Sequence, residues 1–181
     1  MKKFRTSKES AVSITVLMLP SHSNFGGKVH GGHILSLMDQ IAFACASKHS
    51  QSYCVTASVN RVDFMNPIEV GELVTLKASV NYTGKTSMVV GVRVESENIT
   101  TGKRKHCNSS YFTMVAKDGS GKNLPVPGLL VEDENGIRRF ARSRIRKAQA
   151  FDRDSKFDRS SFKIEDYLGS LSDENIKIAI K

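Results

Sequence analysis

The sequence predicts an α+β fold: one long central helix wrapped by a curved antiparallel sheet, followed by a C-terminal helical extension. Three observations predict it. Between residues 31 and 48 the apolar residues Ile34, Leu35, Leu37, Met38, Ile41, Ala42, Phe43, Ala44 and Ala46 go nearly all the way round a helix, so it reads as buried on most sides. Four long extended stretches follow, at 53–64, 72–83, 87–99 and 103–118. The turns between them are short, which demands antiparallel pairing. An apolar helix of this kind needs cover, and a strongly curved sheet gives it, completed by a second copy of the chain.

Each element has its own warrant. "MKKFRTSK" ahead of "AVSITVLML" resembles a short secretion signal. Ser13 and Thr15 interrupt that run with period two, however, and leave Val12, Ile14, Val16 and Met18 on one face. This is the pattern of a half-buried strand over 11–19, ended by Pro20. Residues 20–30 form a polar, glycine-rich loop. The stretch at 53–64 is closed by the "NP" turn at 66–67. Val74, Leu76, Ala78 and Val80 share a face of the next strand, as do Val90, Val92 and Val94 of the one after. "EVGE", "TGKT" and "TTGK" carry the glycines that tight turns need. "GSGKNLPVPGLL" reads as a linker, and "VEDENGIRRFARSRIRKAQA" as a charged helix with Ile137, Phe140 and Ile145 available for docking. The expected division is 1–118 for the core, 119–149 for linker and helix, and 150–181 for a loosely docked tail. No segment is long and apolar enough to enter a bilayer.

The net charge is +9. Residues 1–117 hold 14 basic and 7 acidic residues, whereas 118–181 hold 13 and 11, so the cationic excess sits on the core. It suits an anionic partner. Nucleic acid is not expected, given four Tyr, no Trp and no recognisable binding signature. A phosphate-bearing ligand fits. Cys45, Cys54 and Cys107 are odd in number and far apart, which points to a reducing, cytoplasmic compartment.

The chemistry concentrates in "NFGGKVHGGHILSLMDQ", residues 24–40. The first amides of a helix lack internal partners and attract negative charge. Gly31, Gly32 and His33 could thus present N–H groups to an oxyanion, or the glycine pair could merely allow tight packing. Asp39 lies about two turns on, among apolar neighbours. An unpaired buried carboxylate costs several kcal/mol, roughly, unless hydrogen-bonded or neutralised. It is either a structural acid or a general base or nucleophile in a dry pocket. Its company favours the second: helix-start amides and, in the preceding loop, Asn24 make a set suited to acyl hydrolysis. His30 and His33 are poorly spaced for a metal and nothing nearby completes a ligand set. There is no GxSxG elbow. "GKT" at 84–86 lacks the upstream glycine of a phosphate loop.

The segments "NFGGKVHGGHILSLMD", "VTASVNRVDFMNPIEVGELVTLKASVNYTGKTSMVVGVRV" and "NSSYFTMVAKD" resemble the acyl-CoA hydrolases of the hot-dog thioesterase superfamily, in the branch of the bacterial YciA-type enzymes and brain acyl-CoA hydrolase. The resemblance spans residues 8 to 149, in order and spacing. It implies the hot-dog fold and hydrolysis of an acyl-CoA thioester to a free acid and coenzyme A, with no metal or cofactor. It implies that Asp39 activates water or attacks the carbonyl, that Asn24 comes from the partner subunit, and that the amide of Gly32 or a neighbour holds the thioester oxygen. Arg61 and the turn Lys85, Thr86, Ser87 fall where such enzymes meet coenzyme A. Lys85 stands where Arg is common, keeping the charge but losing the fork geometry for phosphate. Asn60 stands where an acid is familiar. A dimer is implied as the minimum active unit and a hexamer, a trimer of dimers, as the assembly. Two other functions compete: a hydratase or dehydratase acting on a carrier-linked acyl chain, and a non-enzymatic acyl-CoA sensor whose basic helix reports ligand.

Overall fold

The computed structural model describes residues 4–156, 162–168 and 175–176. The chain forms two compact units, 1–143 and 144–181. The first holds the sheet and the long helix. Strands β2 (Val12–Leu17), β3 (Tyr53–Val59), β5 (Leu73–Thr83), β6 (Ser87–Glu97) and β7 (Arg104–Lys117) lie in the order β2-β5-β6-β7-β3, and the two-residue β4 (Asp63–Phe64) also pairs with β7. All of these pairings are antiparallel, as the short turns require. Two short elements at the N-terminus, β1 (Phe4–Thr6) and α1 (Ser7–Ser10), were not legible in the sequence pattern. β1 pairs in parallel with β8 (Gly128–Leu130).

The expected alternation is present. Val74, Leu76, Ala78 and Val80 of β5 and Val90, Val92 and Val94 of β6 are buried under helix α2 (Gly31–Ser50). Ile34, Met38, Ile41, Ala42, Cys45 and Ala46 of α2 complete this core. The stretch expected as one strand over 53–64 is broken between β3 and β4. A bulge at Thr56/Ser58 bends β3, and the Asn60 amide bonds to Tyr111 O beyond its end.

Within one chain helix α2 is covered along one side. Gly32, Ser36, Asp39, Gln40 and Phe43 are exposed along one flank, with Leu35 and Leu37 only half-buried. One chain's sheet covers a single side of a helix and leaves the other side open.

Helix α3 (Glu134–Lys156) realises the expected charged helix. Of the three residues expected to dock it, Phe140 packs its ring on Tyr82 at a centroid distance of 4.9 Å, whereas Ile137 is 62% and Ile145 56% exposed. Much of the expected tail lies outside the described residues; within it a single turn, α4 (Glu165–Leu168), is formed. Among the described residues no helix is long and apolar enough to cross a membrane.

Candidate active site

The site is built on the start and middle of α2. His30 is the N-cap, and its Nδ1 accepts a 2.9 Å hydrogen bond from the Gly32 amide. The His33 amide donates to His30 O at 3.0 Å. The Gly32 amide, expected to be free, therefore has an acceptor already. That acceptor is an exposed side chain rather than buried structure. Both glycines sit close to a ring. A Cβ on Gly32 would lie 2.9 Å from the His30 ring, and one on Gly31 3.2 Å from the Phe64 ring.

Asp39 faces solvent from the open flank, seven residues beyond Gly32, so both project from the same side. Its Oδ1 accepts a 2.6 Å hydrogen bond from Thr56 Oγ1. That contact ties mid-helix to strand β3, which pairs with β7 along one side and has no partner along its other edge among the described strands. The carboxylate is thus oriented without being sealed in. Sequence reasoning missed Thr56. The signal available was a hydroxyl two residues after Cys54, on the strand face that turns toward the helix.

Asn24 opens a tight loop. Its Oδ1 accepts from the Gly26 amide at 2.9 Å and the Lys28 amide at 3.2 Å, and its own amide donates to Lys28 O at 2.7 Å. Two N–H groups on Oδ1 fix the orientation of the carboxamide and turn the NH2 outward. Lys28 Nζ meets both oxygens of Glu69, at 2.6 and 2.7 Å, and braces the loop. Among the described residues no hydrogen bond joins Asn24 to Asp39.

The residues expected to meet coenzyme A are spread along the sheet within one chain. Arg61 follows β3 near the middle of β7 and is tied to Asp63 at 2.7 Å. Lys85 and Thr86 form the β5–β6 turn, and Ser87 begins β6 opposite Val115 near the end of β7. From this register Arg61 and Lys85 lie roughly 20 Å apart along the strand direction.

Three histidines gather beside the helix start. His22 and His33 stack with centroids 3.9 Å apart. Burial, and then the nearby His22 and His30, hold the His33 pKa below the ordinary value. Among the described residues no group of three or more His, Cys, Asp or Glu is placed to hold a metal. Cys45 lies in the core, where burial pushes its thiol up to about 12, so it is no nucleophile.

A sequence profile of the thioesterase superfamily matches residues 26–103. Protein VdlD of Helicobacter pylori is 41% identical over 142 residues, covering 78% of this chain and 81% of that protein. A crystal structure of an apo-hexameric acyl-CoA thioesterase superposes with a TM-score of 0.81 at 39% identity, covering 83% of this chain and 97% of that one. An acyl-CoA hydrolase from Staphylococcus aureus, bound to butyryl-coenzyme A, coenzyme A and coenzyme A disulfide, gives 0.76 at 32% identity, over 84% of this chain and 94% of that one. Three further structures of that enzyme carry single substitutions to alanine. They fall at an asparagine, at an aspartate fifteen residues later and at a threonine seventeen residues beyond that. Asn24, Asp39 and Thr56 stand at the same spacings here. With its curled antiparallel sheet, its long helix and these relatives, the chain belongs to the hot-dog thioesterase superfamily.

Proposed function

We propose that this protein hydrolyses acyl-CoA thioesters to a free fatty acid and coenzyme A. The observation that carries the reading is the Asp39–Thr56 pair: a carboxylate on an open helix flank, oriented by one hydroxyl, in line with helix-start amides. The spacing shared with the substituted positions of the Staphylococcus aureus acyl-CoA hydrolase supports it.

In this mechanism Thr56 holds Oδ1 of Asp39, and Oδ2 takes a proton from water. The water oxygen adds to the thioester carbonyl carbon, and the C=O pair moves onto oxygen. The oxyanion is held by the Gly32 amide, in the place that His30 Nδ1 now occupies, and by the outward NH2 of Asn24 from a second copy. The C–S bond then breaks and the thiolate of coenzyme A recovers the proton from Asp39. Phe43 and the half-buried Leu35 and Leu37 of α2 become, in a dimer, a dry lining for the acyl chain. Lys85, Thr86, Ser87 and Arg61 meet the nucleotide of coenzyme A. Their separation within one chain suits an arrangement in which two subunits share each ligand. The dimer is the active unit, and the hexameric relative supports a trimer of dimers.

The deciding experiment measures thiol release from acetyl-, butyryl- and palmitoyl-CoA by wild type and Asp39→Ala. Turnover that collapses in the variant, with assembly intact, supports the hydrolase. No turnover by wild type on any of them overturns it for those substrates.

A further inference from the structure

The loop that carries Asn24 ends in a side chain that stands clear of the other described residues. Phe25, at its tip, is 113% exposed. The loop beneath it is not slack. Asn24 closes it with four hydrogen bonds, bridges join Ser23 to Val29 and Lys28 to Glu69, and the Lys28–Glu69 ion pair braces it from the side. A braced loop loses little entropy on docking, and a large aromatic presented this way is the kind of residue that anchors interfaces.

A matching surface lies elsewhere on the same chain. Phe43, one turn beyond Asp39, is 39% exposed and meets the ring of Tyr53 edge-on at 5.8 Å. Tyr53 and Val55 open onto a cavity of about 700 Å³ that continues to the loop at 118–121. Phe25 precedes the start of α2, whereas Phe43 and Tyr53 belong to its second half and the strand that follows. About 18 Å of helix separates Gly31 from Phe43, so tip and socket sit at opposite ends of one chain's helix.

A second copy brings them together. The free edge of β3 holds neither Pro nor Lys, the usual protections of a bare edge. Antiparallel pairing of this edge with its own copy is isologous, with a two-fold axis normal to the sheet. Both α2 helices then lie on the same face and run in opposite directions. The N-terminal loop of each comes alongside the C-terminal half of the other.

We propose that Phe25 seats on the Phe43–Tyr53 surface of a second copy of this chain, and that this contact holds Asn24 at the partner's Asp39. The inference rests on the reading above, in which Asn24 serves a second copy's site, and adds the anchor and its socket.

The test replaces Phe25 with the photo-crosslinking benzoylphenylalanine in the full chain, mixed with isotope-labelled unsubstituted chain. Irradiation is expected to give crosslinked dimers in which the partner peptide is labelled and contains Phe43 or Tyr53–Val55. Crosslinks within one chain, or to any other segment, overturn the proposal. Sedimentation of Phe25→Ala and Phe25→Leu gives an independent reading. The dimer Kd is expected to rise at least about 10-fold in the first and less than about 3-fold in the second. An unchanged Kd in Phe25→Ala overturns the proposal. Thiol release by wild type separates the two claims. Asp39-dependent turnover with the crosslink elsewhere sinks the anchor alone, and the expected crosslink without turnover sinks the hydrolase alone.

Discussion

Thr56 donates a 2.6 Å hydrogen bond to Oδ1 of Asp39, and this contact joins the middle of the long helix to the free edge strand. The strand is placed by its ladder with β7 and the helix by its core face, so the pair holds the carboxylate from two independently fixed elements.

Thr56→Val keeps the shape and removes the hydroxyl. A carboxylate free to rotate is misplaced for much of the time, and misplacement of about 1 Å costs on the order of 100-fold. We expect kcat on butyryl-CoA to fall about 10- to 100-fold. Tm should move by less than about 2 °C, because Thr56 is exposed. Thr56→Ser should stay within about 3-fold of wild type. A kcat unchanged in Thr56→Val would remove the hydroxyl from the mechanism.

Asn24→Asp separates the two ends of one side chain. The carboxylate can still accept from the Gly26 and Lys28 amides, so the loop is retained. The outward N–H donor is replaced by an acceptor with negative charge. We expect a loss of about 100- to 1,000-fold in kcat, the size seen when one oxyanion donor is removed. Mixing Asn24→Asp protein with Asp39→Ala protein under conditions of subunit exchange should recover activity, because a mixed dimer holds one intact pair. A mixture as inactive as its parts would mean that both residues act within one chain.

The fold was legible because its signals are strong and local. Period-two alternation in β5 and β6 and the run of apolar residues in α2 need no tertiary knowledge. How much of α2 one sheet covers was not legible, because periodicity reports where apolar residues lie and not whether one sheet is wide enough to cover them. Asp39 stood out as the lone acid in that run, and Asn24 through its neighbours in the loop. Thr56 did not, because its meaning depends on β3 passing beside α2, a contact across 17 residues. The His30 cap was equally hidden. A histidine two residues before a glycine carries no mark that its ring will turn back onto the helix amide.

His30→Ala tests whether that cap is a placeholder. Losing an N-cap costs about 1 kcal/mol, so Tm should drop by a few degrees. The Gly32 amide is then left for the thioester oxygen, and kcat/KM on butyryl-CoA should equal or exceed that of wild type. A fall of more than about 10-fold in folded protein would instead make the imidazole itself part of the chemistry.

Stability should depend on pH through His49 and His33. His49, in the last turn of α2, is fully buried with Ser10 Oγ 3.1 Å from its Nδ1. Burial first, and Arg5 after it, hold its pKa below the ordinary 6.5, against the opposing pull of the Pro127 carbonyl and Glu9. His33 is lowered as well. Below pH 6.5 the unfolded chain binds protons that the folded chain does not yet accept, so folding stability is full above that pH and falls as the pH drops toward the folded-state values. The carboxylates act in a separate window. Hydrogen bonds from Lys77 and Arg93 hold Glu95 at about 2, so its contribution is lost only below the ordinary carboxylate value of 4.5. Thermal melts from pH 7.5 to 5 should show a falling Tm. The combined substitutions His33→Gln and His49→Gln should lower Tm at pH 7.5 through lost packing yet flatten its slope across this range. An equally steep slope in the variant would assign the acid sensitivity to other groups.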